Sequence, residues 1–231
     1  MGRVLVGVRL FMQDRIRKNL QQIQEEIAPF KPNIIAVTKY FDENAIIEAY
    51  KAGLRDFGES RVIEASEKIS RLPEYVRESS RFHFIGHLQG NKAKRAVERF
   101  DYIHSVDSLK LAQKISEYAS EMNKIQNILL QLNNAGEIQK SGFNKEELKE
   151  NFGEIIKLPN VKVLGLMSMA PLGAEEEELR FLFREVRVTR DNLEKLYNYK
   201  LPELSMGMSQ DYLIAAQEGS TMLRIGRKLF S

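Results

Sequence analysis

The chain contains no cysteine. That excludes a disulfide framework, a thiolate metal site and a cysteine nucleophile, and it agrees with a reducing compartment such as the cytoplasm. Histidine is scarce, at three residues in 231. Around His83 and His87 no carboxylates stand at metal-ligand spacing, so both are expected to be structural or hydrogen-bonding, with His87 bordering a pocket at most. No apolar run approaches the ~20 residues of a membrane helix. Near the N-terminus, Arg3 and Arg9 interrupt the apolar residues and leave no signal-peptide core. Charge of one sign is lacking too: the formal net charge is +3, too small to imply a nucleic-acid partner. Linkers and low-complexity segments are missing, which makes residues 1–231 a single domain by expectation. What remains is 43% hydrophobic and 29% charged, an ordinary globular mixture able to bury a core.

Between Phe11 and Ala28, apolar residues recur at Ile16, Leu20, Ile23 and Ile27, a helical spacing. After Pro29 and Pro32 comes Ile34-Ile35-Ala36-Val37, β-branched and too short for a helix, which reads as a first strand ending at Thr38-Lys39. Asp42 suits the N-cap of a helix carrying Ile46, Ile47, Ala49 and Tyr50 and closed by Gly53. Further strand-like runs stand at Asp56–Gly58, Phe82–Gly86, Tyr102–Val106, Ile128–Leu132, Val161–Met167, Glu203–Met206 and Met222–Ile225. Most are separated by helical segments, for example Ser108–Met122 and Glu175–Leu196. About eight βα units in a chain of this length predict an α/β fold, a closed (β/α)8 TIM barrel preceded by an extra helix. An open doubly wound sheet is the rival.

In such a barrel, reactive groups lie at the C-terminal ends of the strands. Lys39 follows the first strand directly, where apolar walls would desolvate its amine and ready it to attack a carbonyl. The plainer reading is one solvated lysine among many. Ser205-Met206-Gly207-Met208-Ser209 passes through a glycine into a helix that Ser209 can cap, and free N–H groups there suit an anion. One unit later, Thr221-Met222-Leu223-Arg224-Ile225-Gly226-Arg227 offers a second glycine and further N–H groups. Both glycines have a bland alternative as turn formers. An amine after strand one and a phosphate cradle after strands seven and eight describe a ligand with an aldehyde and a phosphate. Pyridoxal 5′-phosphate fits, and so does a sugar phosphate in a Schiff-base aldolase.

Longer motifs sharpen this. Ala36-Val37-Thr38-Lys39, Phe57-Gly58-Glu59 and His83-Phe84-Ile85-Gly86-His87-Leu88-Gln89-Gly90-Asn91-Lys92 stand in order. Gln131-Leu132-Asn133, Glu137, Lys140-Ser141-Gly142 and Gly165-Leu166-Met167 follow, then Leu204–Tyr212 and Glu218–Arg227. From about Ile34 to Phe230 the ordered set resembles the pyridoxal phosphate homeostasis family. The resemblance implies a fold-type III barrel like the N-terminal domain of alanine racemase, with pyridoxal 5′-phosphate held as an aldimine on Lys39. It implies that Ser209, Gly226 and Arg227 hold the phosphate, Arg227 mainly through its backbone N–H, and that Arg224 faces the pyridine nitrogen. Gly207 and Met167, at strand ends in the matched motifs, belong to the same expected cofactor site. Two positions depart from the family: Ser60 replaces the usual asparagine, and Arg227 stands where many members carry threonine.

A cation facing the ring nitrogen has no acceptor for a proton, so the ring would stay unprotonated and be a weaker electron sink. The leading expectation is therefore a carrier or regulator of the cofactor, cytoplasmic and monomeric, with no substantial catalysis. A small amino-acid racemase is the alternative, and a protein that signals through a cofactor-dependent surface is a third. The acidic run Glu175–Glu178 suits the first turn of a long helix, and Lys92-Ala93-Lys94-Arg95 a solvated helical face.

Overall fold

The computed structural model describes residues 2–134 and 141–231, with side chains from Met12 onward. Helix α1 (Gly2–Glu26) precedes eight strands: β1 (Asn33–Val37), β2 (Asp56–Glu59), β3 (Arg81–Phe84), β4 (Tyr102–Val106), β5 (Gln126–Gln131), β6 (Val161–Met167), β7 (Glu203–Met208) and β8 (Met222–Ile225). Each strand pairs in parallel with the next, and β8 returns to β1 with Asn33 to Ala36 opposite Met222 to Ile225. That last ladder closes the barrel and removes the open-sheet rival. Connecting helices are α2 (Glu43–Lys51), α3 (Val62–Ser70), α4 (Glu74–Glu78), α5 (Ala93–Arg99), α6 (Leu109–Glu121), α7 (Lys145–Ile155), α8 (Glu176–Tyr197) and α9 (Tyr212–Gln217), with a short α10 (Arg227–Phe230) after β8.

Local chemistry explains most boundaries. Asp42 caps α2, accepting from the Asn44 and Ala45 N–H groups, and Gly53 closes it at φ +107°. Ser108 caps α6 through the Leu111 N–H, and Asn144 forms a capping box with Glu147 at α7. Glu176, Glu177 and Glu178 occupy the first turn of α8, as expected. Lys94 and Arg95 are exposed on α5. Five strands differ from the expected ranges by one or two residues, β1, β2 and β7 at one end and β3 and β5 at both. β3 begins at Arg81 and ends at Phe84, because the chain bends at Gly86, where a Cβ would lie 2.3 Å from the Ser60 carbonyl oxygen. β5 begins earlier, at Gln126, whose buried amide donates to the Phe100 and Asp101 carbonyls, and Leu132 forms only a bridge with Phe143.

The apolar core lies between barrel and helices, where Phe57, Phe84, Phe100, Phe152 and Phe183 are fully buried. Helix α1 joins it through Ile16, Ile23 and Ile27. The same helix grips the end of the fold: Asn19 donates to the Leu229 and Ser231 carbonyls, and Lys228 and the Tyr212 hydroxyl both donate to Glu26. Among the described residues no helix is long and apolar enough to cross a membrane.

Candidate cofactor site

The β1 exit is fixed from below. The Thr38 hydroxyl donates to Glu59 Oε1 at 2.7 Å, while Lys68 Nζ donates to the same oxygen at 2.6 Å and to the Thr38 carbonyl at 2.9 Å. All three side chains are buried. Buried ions are tolerated when each is hydrogen-bonded to its partner, which is the arrangement here. It sets the direction in which the next residue, Lys39, leaves the barrel. The Lys39 side chain is exposed, with Nζ 5.1 Å from the Tyr40 ring centroid. The side chain thus meets solvent and the Tyr40 ring rather than the enclosing apolar walls expected around this amine.

At the β7 exit, Gly207 has φ +93°, and a Cβ there would lie 2.5 Å from Ala215 Cβ and 2.9 Å from Leu223 Cδ2. Close packing of α9 on β7 and β8 is what demands glycine. Ser209 does not cap α9, contrary to the expectation. Asp211 holds the capping position, and its carboxylate accepts from the Met208 N–H at 2.5 Å. Ser209 turns toward β8 instead, and its hydroxyl oxygen accepts from Gly226 N–H at 3.2 Å and Lys228 N–H at 3.4 Å. Between those two donors, the Arg227 N–H meets no acceptor among the described residues. The Arg227 side chain is exposed. Gly226 lies against Val37, to which an added Cβ would approach within 3.5 Å.

Register places these groups together. Ile35 of β1 stands opposite Arg224 of β8, and Ala36 opposite Ile225. Lys39, Ser209, Gly226 and Arg227 thus share one end of the barrel, at and beside the closing seam, with Arg224 below them. Met167, buried at the end of β6, is opposite Ser205 of β7 and completes the neighbouring wall. His87, after β3, is exposed and near Ser141 and Asp107. Glu137 and Lys140 lie outside the described residues.

Arg224 is 4% exposed. Nη1 donates to the Ser205 carbonyl at 2.6 Å and the Ser205 hydroxyl at 2.7 Å, and Nη2 donates to the Ser168 carbonyl at 2.8 Å. Three of its five N–H bonds are thereby used, and no acceptor among the described residues meets the other two. Burial lowers the guanidinium to about 10, against the opposing pull of Asp211. The group therefore remains a cation at neutral pH. Beneath it runs a chain of buried side chains in which His83 has the hydrogen-bonding role expected of it, while its partners His104 and Asp56 were missed in the sequence. Ser205 Oγ is 2.9 Å from His104 Nδ1, His104 Nε2 is 2.9 Å from His83 Nδ1, and His83 Nε2 is 2.9 Å from Asp56 Oδ1. Arg81 closes the far end with two hydrogen bonds to Asp56, at 2.7 and 2.6 Å. The one available signal was a polar pair, His104-Ser105, inside an otherwise strand-like run.

Comparison with known proteins places this geometry. Residues 12–231 match the model of the alanine racemase N-terminal domain. The pyridoxal phosphate homeostasis protein of Synechocystis sp. is 43% identical over 208 residues, covering 89% of this chain and 94% of that protein. The chain belongs to this family. PipY of Synechococcus elongatus PCC7942, solved with PLP bound, is a structural relative at TM-score 0.84 and 37% identity, covering 94% of this chain and all of that one. The alanine racemase of Clostridium difficile 630 shares the fold, with TM-score 0.76 and 16% identity over 94% of this chain and 56% of the racemase. A family cofactor of this kind needs an amine, a set of phosphate donors and a partner for its ring nitrogen. The uncommitted N–H bonds of Arg224, the unmet Arg227 N–H beside Ser209 and the exposed Lys39 amine fit those needs.

Proposed function

We propose that this protein binds pyridoxal 5′-phosphate covalently through Lys39 and serves in intracellular homeostasis of the cofactor, as a carrier or regulator rather than an enzyme with substantial turnover. The observation that carries the reading is the seam between β1 and β8, where an outward lysine, two strand-end loops rich in N–H groups and a buried arginine meet. Ser209, Gly226 and Arg227 hold the phosphate, the last through its N–H; Gly207 lets β7 turn tightly enough to present Ser209, and Met167 walls the pocket. Arg224 offers its free N–H bonds to the ring nitrogen. The bound group would supply a reactive aldehyde and an electron-withdrawing ring.

Arg224 argues for storage over catalysis. It only donates, so a nitrogen facing it accepts and carries no proton of its own. Withdrawal of electrons by the ring is then weak, and turnover of amino acids is disfavoured. The names of the relatives point the same way. This reading takes residues 1–231 as one cofactor-binding domain, monomeric and cytoplasmic; the absence of cysteine supports the compartment.

Absorbance before and after borohydride tests it. Protein incubated with the cofactor should show a yellow band that borohydride bleaches, with the label mapped to Lys39 by mass spectrometry and absent from Lys39→Ala. A colourless wild-type protein after that incubation would refute the reading and favour a sugar-phosphate ligand.

A further inference from the structure

We propose that His104, His83 and Asp56 are positioning residues that act through Ser205 to fix Arg224, so that the arginine meets the cofactor's ring nitrogen in one donor geometry. This inference rests on the cofactor reading above.

The donors and acceptors along the chain determine one another. Arg224 can only donate, so Ser205 Oγ accepts from it at 2.7 Å. At the other end Asp56 is a carboxylate: burial raises its pKa, but hydrogen bonds from His83 and Arg81 outweigh burial and hold it well below the usual range. His83 Nε2 must therefore carry a hydrogen and donate to Asp56 Oδ1. Burial holds His104 neutral, so one of its nitrogens donates and the other accepts; we assign its hydrogen to Nε2, which donates to His83 Nδ1. His104 Nδ1 is then bare and accepts the Ser205 hydroxyl hydrogen. Every hydrogen between Arg224 and Asp56 points the same way. The groups facing His83 are Asp56, His104 and the Tyr102 ring, stacked at 4.5 Å; Arg81 and Asn33 reach it through Asp56.

Placement argues against mere filling. Barrel interiors are packed chiefly by branched apolar residues. Here Asp56, His83, His104, Ser205 and Arg224 are all at most 4% exposed, and they run from the start of β2, through β3 and β4, to β7 and β8. A buried polar network is costly unless satisfied, and each member of this one is hydrogen-bonded to the next, with only two Arg224 N–H bonds left for the site. Its lower end, Asp56 and Arg81, lines a cleft of about 690 Å³ on the face opposite Lys39. The chain thus spans the barrel from that cleft to the site.

The test compares wild type with His104→Leu, which cuts the chain, and His104→Gln, whose amide can both accept from Ser205 and donate to His83. Pyridoxal phosphate binding by equilibrium dialysis and the spectrum of the bound cofactor are read beside the thermal midpoint of unloaded protein. His104→Leu should bind about tenfold more weakly and shift the absorbance maximum, while His104→Gln stays within about threefold of wild type. Nitrogen-15 NMR of unloaded wild-type protein should show His104 as a neutral Nε2–H tautomer. Wild-type affinity and spectrum in a folded His104→Leu would overturn the proposal, as would an Nδ1–H tautomer of His104. Failure of wild type itself to bind would remove the cofactor reading, and this inference with it, whatever the tautomers show.

Discussion

A methyl group is all that separates Gly207 from alanine, yet it would fall 2.5 Å from Ala215 Cβ in a backbone at φ +93°. Overpacking and an unfavourable backbone region combine there, so Gly207→Ala should lose about 2–4 kcal/mol in urea denaturation. His104 makes a different prediction. Burial, reinforced by His83 and Arg224, holds its imidazole well below the usual value of 6.5. The unfolded ring takes up a proton near pH 6.5, whereas the folded ring does not. Below that pH the unfolded state binds more protons, and stability falls by up to about 1.4 kcal/mol per pH unit. Asp56, with its lowered pKa, has the acidic counterpart: its contribution is present above the unfolded carboxyl value of about 4 and is lost below it. Urea titrations at pH 7 and pH 5 should therefore show a slope that His104→Gln flattens and Asp56→Asn leaves in place.

At the scale of elements, the exits of β1 and β2 are joined by the Glu59–Lys68 pair rather than by apolar packing. Lys68→Met leaves Glu59 buried without its cation and should destabilise by about 3–5 kcal/mol, much of it recovered in the double variant with Glu59→Gln. Asp42→Ala removes the cap of α2 and should cost about 1 kcal/mol, checked by the same denaturation. These two cases also show what a sequence can disclose. Asp42 was legible because a cap acts on residues two and three places away, and so were β-branched runs such as Ile34–Val37. The position of Lys39 followed from its strand, but its exposure did not, since that depends on the turn held by Glu59 and Lys68. Ser209 looked like a cap because Asp211, two residues on, competes for the same role. The chain from Asp56 to Arg224 was illegible for a deeper reason: its members stand on five different strands, and only closure of the barrel brings them into contact.

The whole molecule is held shut at a seam between its first and last strands, reinforced where α1 grips α10. Glu26 receives both Lys228 and the Tyr212 hydroxyl, so Glu26→Ala should lower the thermal midpoint and loosen the end of the chain more than its middle, which hydrogen exchange at Leu229 and Phe230 would register. The seam also has a consequence in time. A chain emerging from the ribosome at about 5–20 residues per second leaves β1 without its β8 partner for roughly 10–40 s. Lys39 is made first, and Ser209, Arg224 and Gly226 are made only after the six strands between them. A nascent chain therefore holds the reactive amine before it has a phosphate cradle, and stable capture of the cofactor must await the synthesis of β8.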